Sequence, residues 1–257
     1  MGIHPTAIID KTAELGTGVS VGPWALVGPR VVLGDDTEIL AHAVIEKDTI
    51  LGKSCRVYPF ACLGTDPQDT KYAGEPTQLI IGDNVTVRES ATIHRGTVNG
   101  GGATRIGNGC LIMATCHIAH DCHLDDEVIL SSFAVLAGHV SLGFSATVSG
   151  SSAIHQFVRV GMHAFIGGMS GIVKDVPPYM IIAGLRDKMM LSPNLVGLKR
   201  KGFSPEAVKA ITLAHRLLHN HKPLQGVLDE VLEKCGDSPE ARHIVGFYRA
   251  SERGVYR

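Results

Sequence analysis

The chain has 257 residues, 44% of them hydrophobic, 19% charged and only 5% aromatic, with 30 glycines and a formal net charge of −1. This balance excludes a disordered chain and a nucleic-acid binder working by overall charge, and no run of roughly eighteen apolar residues is present to span a membrane. The N-terminus carries no basic-then-apolar leader, so the expected location is cytoplasmic, and six cysteines without a C-x-x-C pair read as reduced, mostly buried thiols.

A period of six organises the chain from its first residues. Ile3, Ile9, Leu15, Val21, Val27, Leu33, Ile39, Ile45, Leu51, Val57 and Leu63 are all aliphatic. The frame resumes at Ile81, Val87 and Ile93, slips once, and then runs from Ile106 through Ile112, Ile118, Leu124, Leu130, Leu136, Leu142, Val148, Ile154, Val160 and Ile166 to Ile172. Four residues after each aliphatic stands a small or β-branched residue (Ala25, Val31, Cys116, Cys122, Ala134). The position two after holds Lys47, Lys53, Asp83 and Glu89, which must face water. Each hexapeptide therefore reads as a short strand and a corner with two inward side chains. Glycines are expected at corners, where a side chain would clash or φ is positive. Such a coil cannot bury itself, so coils must stack into a parallel β-solenoid, three to a rung, with rungs about 4.8 Å apart. The period does not give the hand; the general rule for parallel crossovers favours right-handed.

Two polar inserts, residues 64–80 and 98–104, leave the prism as loops, and loops on a rigid scaffold commonly carry function. The expected domains are residues 1–176, the prism, and 177–257, a helical cap in which the hexapeptides stop after Pro177-Pro178. Ser204-Pro205-Glu206 and Ser238-Pro239-Glu240 each read as a cap, a first-turn proline and an acid opening a helix. A helix between them spans Leu224 to Cys235 and stops at Gly236. Lys and Arg number 13 against 8 Asp and Glu after residue 176, and 11 against 17 before it, so an acidic prism carries a basic cap. Lys199-Arg200-Lys201 is either a solvated face or a site for an anion or an acidic partner.

Histidines gather on one side of this prism. With each insert counted inside a single coil, Ile93, Ile118, Leu136 and Ile154 begin coils on one face, and His94, His120, His139 and His155 follow them in outward columns. Neighbouring imidazoles, and the cations of the cap, disfavour protonation and keep a histidine in the neutral state that a general base needs. Asp121 follows His120, and Gly138 lies on the next rung, where a bare N–H can approach an oxyanion. A metal reading competes, because His117, His120, Cys122 and His123 crowd together, although Cys122 belongs to the inward column.

The strings Asp69-x-Lys71-Tyr72-Ala73-Gly74-Glu75-Pro76-Thr77, Ile93-His94-Arg95-Gly96-Thr97, His117-Ile118-Ala119-His120-Asp121-Cys122, Leu136-Ala137-Gly138-His139-Val140, Ile154-His155-Gln156-Phe157, Asp175-Val176-Pro177-Pro178-Tyr179 and Gly197-Leu198-Lys199-Arg200 occur in this order. Together they closely resemble the UDP-N-acetylglucosamine O-acyltransferase family over essentially the whole chain. The resemblance implies a mainly β fold, a left-handed parallel β-helix with a C-terminal α-helical domain, assembled as a homotrimer with sites between neighbouring prisms. It implies transfer of a 3-hydroxyacyl chain from acyl carrier protein to the glucosamine 3-position of UDP-N-acetylglucosamine, the first step of lipid A biosynthesis, without a metal or cofactor. His120 then matches the base, Asp121 its neighbour and Gly138 the oxyanion amide. His94, His117, His139, His155 and Gln156 match substrate-contacting positions, Asp69 and Lys71 sugar and phosphate contacts, and Asn194 and Arg200 nucleotide contacts. Gly168, with Met169 beside it, matches the acyl-chain ruler. The chain departs from the family at Gly184-Leu185-Arg186-Asp187 and at Val196, where an acid is expected. Both bear on nucleotide-sugar contacts and leave open a 3-amino sugar acceptor. Alternatives from other classes are a carbonic-anhydrase-like zinc hydratase, another hexapeptide acyltransferase, and a solenoid that binds without turnover.

Overall fold

The computed structural model describes residues 2–185, 188–220 and 223–257. Arg186 and Asp187, half of one departure noted above, lie outside the described residues. Among the described residues, strands of mostly two residues form three parallel walls, and successive strands visit the walls in rotation as far as Gly171–Ile172. The first wall runs from Ile8–Ile9 to Gly171–Ile172, the second from Glu14–Leu15 to Arg159–Val160, and the third from Ser20–Val21 to Met180–Ala183. Neighbours within a wall are in register eighteen residues apart, as in Leu26 opposite Val44 and Val135 opposite Ala153.

The inserts do not disturb this register. Leu63 pairs with Ile93 and Ile93 with Ile118, so each extra segment leaves and re-enters within one coil. Ile118, Leu136 and Ile154 then follow on the same wall. Inside, the aliphatic column (Val27, Leu33, Ile45, Leu63, Ile118) and the small column (Ala25, Val31, Ala43, Ala61, Ala134) are almost wholly buried and make one continuous core. Where the small column is polar, the hydroxyl is partnered. Thr37 Oγ1 donates to the Gly52 carbonyl at 2.9 Å and accepts from the Cys55 amide at 3.1 Å.

Two expectations need correction. Apart from Gly64, φ 78°, where the first insert leaves the wall, the glycines one place after the aliphatic do not supply positive φ; they supply clearance. A Cβ on Gly34 would come within 2.5 Å of the Gly52 carbonyl carbon on the next rung. The left-handed backbone lies instead three places after the aliphatic, and mostly non-glycine residues adopt it there, from Trp24 and Arg30 to Asp121, His139, Phe157 and Tyr179. Each carries a local cost on the order of 1 kcal/mol that rung stacking offsets.

The hexapeptides also continue past Pro177-Pro178. Val176 bridges to Val160, Ile182 pairs with Ile166, and Leu185 bridges to Gly171, so one more rung closes all three walls. The frame shortens from six to four between Ile172 and Val176, which hides this rung from a search at fixed period. Met190–Pro193 then pairs antiparallel with Met180–Ala183 and ends the third wall. Helices α1 (Leu195–Arg200), α2 (Pro205–Leu218), α3 (Leu224–Cys235) and α4 (Pro239–Arg249) follow. Ser204 and Ser238 cap α2 and α4 by accepting the Ala207 and Ala241 amides, and Asn194 caps the unexpected short α1 by accepting from Gly197. Ile211, Leu217, Val227, Val231, Ile244 and Tyr248 form a second core, which Tyr179 and Met180 join to the prism end.

This junction predicts that a chain ending at Val176 exposes the edge beside Ile166 and aggregates. Size-exclusion chromatography of the fragment checks it, and a soluble, monodisperse product would contradict it.

Candidate functional site

His120, Asp121 and His139 lie at the corner between the first and second walls. His120 Nδ1 lies 2.7 Å from Asp121 Oδ2. Adjacent residues rarely meet in this way. Here they do because Asp121 takes the left-handed corner, φ 62°, and turns its carboxylate back along the chain. The Asp121 side chain is fully covered, and its oxygens also accept from the Thr97 amide and the Thr97 hydroxyl, both at 2.7 Å. Its own amide donates to the buried Thr104 hydroxyl at 2.8 Å. Thr97 and Thr104 bracket the second insert, so that loop dresses this one carboxylate. Gly100 is part of the same fit, because a Cβ there would overlap the Asp121 carboxyl carbon. The triple-glycine segment thus serves a side chain of the same molecule.

One rung on, His139 occupies the equivalent left-handed corner, with Nε2 3.6 Å from Asp121 Oδ2 and its ring edge-on to His120 at 5.2 Å. Phe157, on the following rung, stacks on His139 with centroids 4.4 Å apart. Sequence reading missed Phe157, although its place in the column of Asp121 and His139 was the signal for it. Gly138 lies directly against His120, for a Cβ there would come within 2.7 Å of Cε1. Comparable corner amides at Lys53, Asp83 and Asn108 donate to side chains of the next rung, whereas the Gly138 N–H meets no acceptor among the described residues.

The histidine ladder is not continuous. His94 is buried rather than outward, edge-on to His117 at 5.0 Å, and His117 Nδ1 is bonded to the Thr92 hydroxyl at 2.8 Å. The cause of neutrality also differs from the expectation. Burial is the leading influence that pushes His94 down to about 4, with His117, His120 and Arg95 adding to it, and burial likewise lowers His117 and His139. Cations of the cap act elsewhere: Lys201, after burial, lowers His163 on another corner.

Arg95 is the second residue that sequence reading passed over. It is buried, donates to the Gly64 carbonyl and to Asp66, and reaches the Tyr72 hydroxyl at 3.1 Å. This fastens the first insert to the corner and brings Asp69 close enough for its charge to act on His139. Asp69 itself accepts the Lys71 amide at 3.0 Å, and Lys71 is exposed. His155 and Gln156 are exposed one rung beyond Gly138, and Gly168 and Met169 lie at the opposite edge of the first wall. A Cβ on Gly168 would meet nothing closer than 3.5 Å, so that edge is open.

Asn194 and Arg200 are not brought to His120. They line a separate cleft of about 460 Å³ on the third wall with Thr147, Phe165, His163 and Lys201. The Asn194 amide is already engaged, Nδ2 with the His163 carbonyl at 3.0 Å and Oδ1 in capping α1. Val196, at a departure from the family pattern, lines the same cleft. Lys201 is paired with Glu127 at 2.7 Å, which leaves Lys199 and Arg200 as the exposed pair of that basic cluster.

His120, Asp121 and His139 offer donor atoms within 4.8 Å of one another, as a metal site would. Asp121 already accepts from the Thr97 amide and hydroxyl and faces His120 Nδ1, which fits an orienting carboxylate better than a ligand. Cys122 faces inward with its thiol pushed up to about 12, chiefly by burial, and His123 turns to the second wall and Asp125. The crowded His/Cys string therefore disperses in three directions.

Residues 175–256 match the family profile described as UDP-N-acetylglucosamine O-acyltransferase, domain 2, and residues 103–138 match the bacterial transferase hexapeptide, six repeats. Among solved structures, the chain is similar to the UDP-N-acetylglucosamine O-acyltransferase of Moraxella catarrhalis, with 40% identity, TM-score 0.95 and 100% of each chain covered. It is similar to the enzyme of Francisella novicida at 35% identity and TM-score 0.96, covering 99% of this chain and 94% of that one. The Arabidopsis enzyme matches at 32% identity and TM-score 0.86, with 99% of this chain and 100% of that one covered. Each match runs through both prism and helical cap, and the left-handed β-helix of these structures is the fold of this chain.

Two outcomes follow from the geometry. Thr97→Val removes a hydroxyl bond to a buried carboxylate, worth about 1.5–3 kcal/mol, and is expected to lower turnover about 10- to 100-fold, with Thr97→Ser recovering most of it; equal rates for Val and Ser variants would contradict this. His94, lowered from 6.5 to about 4 by folding, costs nothing above pH 6.5, and stability falls as pH drops from 6.5 toward 4 because the unfolded chain takes up the proton first. Thermal melting of wild type and His94→Gln across that range should show a shallower decline in the variant.

Proposed function

Because the chain belongs to the UDP-N-acetylglucosamine O-acyltransferase family, we propose that it moves a 3-hydroxyacyl chain from acyl carrier protein to the 3-hydroxyl of UDP-N-acetylglucosamine, with His120 as general base. The observation that carries this reading is the 2.7 Å contact between His120 Nδ1 and the covered carboxylate of Asp121. An ionised carboxylate only accepts hydrogen bonds, so it holds the ring proton on Nδ1 and leaves a lone pair on Nε2. That nitrogen takes the proton of the sugar 3-hydroxyl as its oxygen attacks the thioester carbonyl. The unengaged Gly138 N–H, against the His120 ring, supplies a donor to the oxyanion. Collapse of the tetrahedral intermediate expels the carrier thiolate, which receives the proton back from His120.

His117, His139, His155, Gln156, Asp69, Lys71 and His94 surround the same corner or its neighbouring rungs and are assigned to substrate contact. Asn194 and Arg200 lie on another wall, and a nucleotide reaching both them and His120 is accommodated across two copies of the chain. Support for a homotrimer comes from the first wall itself. Its outward column is apolar at Ile8, Leu26, Val44 and Val135, and the adjoining corner exposes Trp24, Phe60 and Phe133, a stripe that a second copy would cover. Gly168, with open space around it and Met169 beside it, is assigned to the end of the acyl groove. The exposed Lys199 and Arg200 suit an acidic carrier protein. No helix of the described residues is long and apolar enough to cross a membrane, consistent with a cytoplasmic carrier as donor.

A 3-amino sugar is the second reading for the acceptor, favoured by Val196 in the cleft that holds Asn194 and Arg200. Mass spectrometry of reactions with UDP-N-acetylglucosamine, or its 3-amino analogue, and a series of 3-hydroxyacyl carrier proteins decides both acceptor and chain length. The expected product is one acyl chain heavier than the sugar nucleotide, and His120→Ala is expected to lower its rate about 10²- to 10⁴-fold. Wild-type turnover in that variant would remove His120 from the role.

A further inference from the structure

His155 is exposed on the first wall, one rung beyond Gly138, and its Nδ1 lies 2.8 Å from Nη2 of Arg253, 98 positions further along the chain. A guanidinium stays protonated and offers only donors. The nitrogen that faces it must present a lone pair, and the ring proton of neutral His155 is therefore on Nε2. The Gln156 carbonyl also lies near Nδ1, but at 3.2 Å, and it would need a proton where Arg253 allows none.

Arg253 is not a loose surface side chain. Its Nε donates to the Val173 carbonyl at 2.9 Å. The segment carrying it is fastened to Asp175, which is buried at the end of the prism. The Asp175 amide donates to the Gly254 carbonyl, the Tyr256 amide donates to the Asp175 carbonyl, and Asp175 Oδ2 accepts the Ser251 hydroxyl at 2.8 Å. Asp175 Oδ1 accepts the Arg159 amide at 2.8 Å, and Arg159 in turn donates to the Ala250 carbonyl at 2.9 Å. The last residues thus lie along a cleft of about 560 Å³ that runs past Arg253 and Arg159 to Phe157 and His139.

We infer that Arg253 is a positioning residue: the C-terminal segment fixes His155 as the Nε2–H tautomer, so that it donates a hydrogen bond to a substrate oxygen. His120, whose Nδ1 faces a carboxylate, presents the opposite tautomer and a lone pair. Two imidazoles two rungs apart on the same wall are set as donor and base by the chemistry of what touches Nδ1. The tautomer follows from the contacts alone; that its recipient is a substrate oxygen rests on the acyltransferase reading.

The test uses the full-length protein with ¹⁵N-labelled histidine, ring-nitrogen shifts being assigned through His155→Gln. Wild type and Arg253→Lys are expected to carry the His155 proton on Nε2 near neutral pH, and Arg253→Leu to gain the Nδ1–H form, with the Gln156 carbonyl as acceptor. In turnover assays the Leu variant should raise KM about tenfold with kcat within about twofold, since one neutral-range hydrogen bond to bound substrate is lost, and Lys should restore most of it. A wild-type proton on Nδ1, an unchanged tautomer in the Leu variant, or equal loss in Leu and Lys would overturn the inference. Wild type and the Lys variant decide the tautomer even if the Leu variant fails to fold. Absence of turnover in wild type with the expected tautomer would fault the substrate reading and leave the Arg253 assignment standing.

Discussion

A coil of six residues with two inward side chains has no interior of its own, and everything in this protein depends on the backbone hydrogen bonds that lay one coil on the next. Those bonds keep residues eighteen apart in register along each wall, and they close a core only one aliphatic and one small side chain deep. A core that thin has little room for rings, which is why aromatics are few and why Trp24, Phe60, Phe133 and Phe157 stand outside on the corners. It also has no tolerance for bulk between rungs, which is where the glycine column is required. An open end would leave the same bonds unmade, and the extra rung at Val176 and Ile182, the antiparallel strand and the helices answer that need.

Polar function is built on the outside of this framework, at its corners and in its inserts. The left-handed corner turns Asp121 back onto His120, and the same conformation one rung later places His139 beside both. The two inserts do unlike work. The second binds the Asp121 carboxylate through Thr97 and the Asp121 amide through Thr104, while the first is held by the buried Arg95 and brings Asp69 toward His139. A carboxylate removed from water and held by three hydrogen bonds is rigid and holds one orientation of its imidazole.

The prism was legible because its constraint repeats: one aliphatic every six residues is a pattern that a single sequence displays many times over. The register across both inserts, and with it the alignment of His94, His120, His139 and His155 on one wall, followed from the same count. What the period could not show is direction at a corner. Whether His120 meets Asp121 depends on a φ value at one residue, and the burial of His94 depends on segments folded over it from elsewhere. The last rung is invisible at a fixed period because its spacing contracts by two residues beside paired prolines. The partners of Asp175 and His155 lie some eighty to one hundred positions away in the tail, and no local pattern announces a contact of that range. Corner glycines give the clearance their spacing suggests, whereas positive φ belongs mainly to a different column, filled mostly by residues with a Cβ.

The register has a consequence for how such a scaffold adapts. A group carried on a wall can move along the prism axis only by whole rungs, about 4.8 Å at a time, because a one-residue shift would exchange its inward and outward faces. Spacing on this protein is therefore discrete, a ladder of fixed treads. Any adjustment finer than a tread has to be made by side-chain volume at sites such as Gly168, or by the loops that leave the walls. Divergence among proteins of this kind should then concentrate at those few positions, while the treads stay where they are.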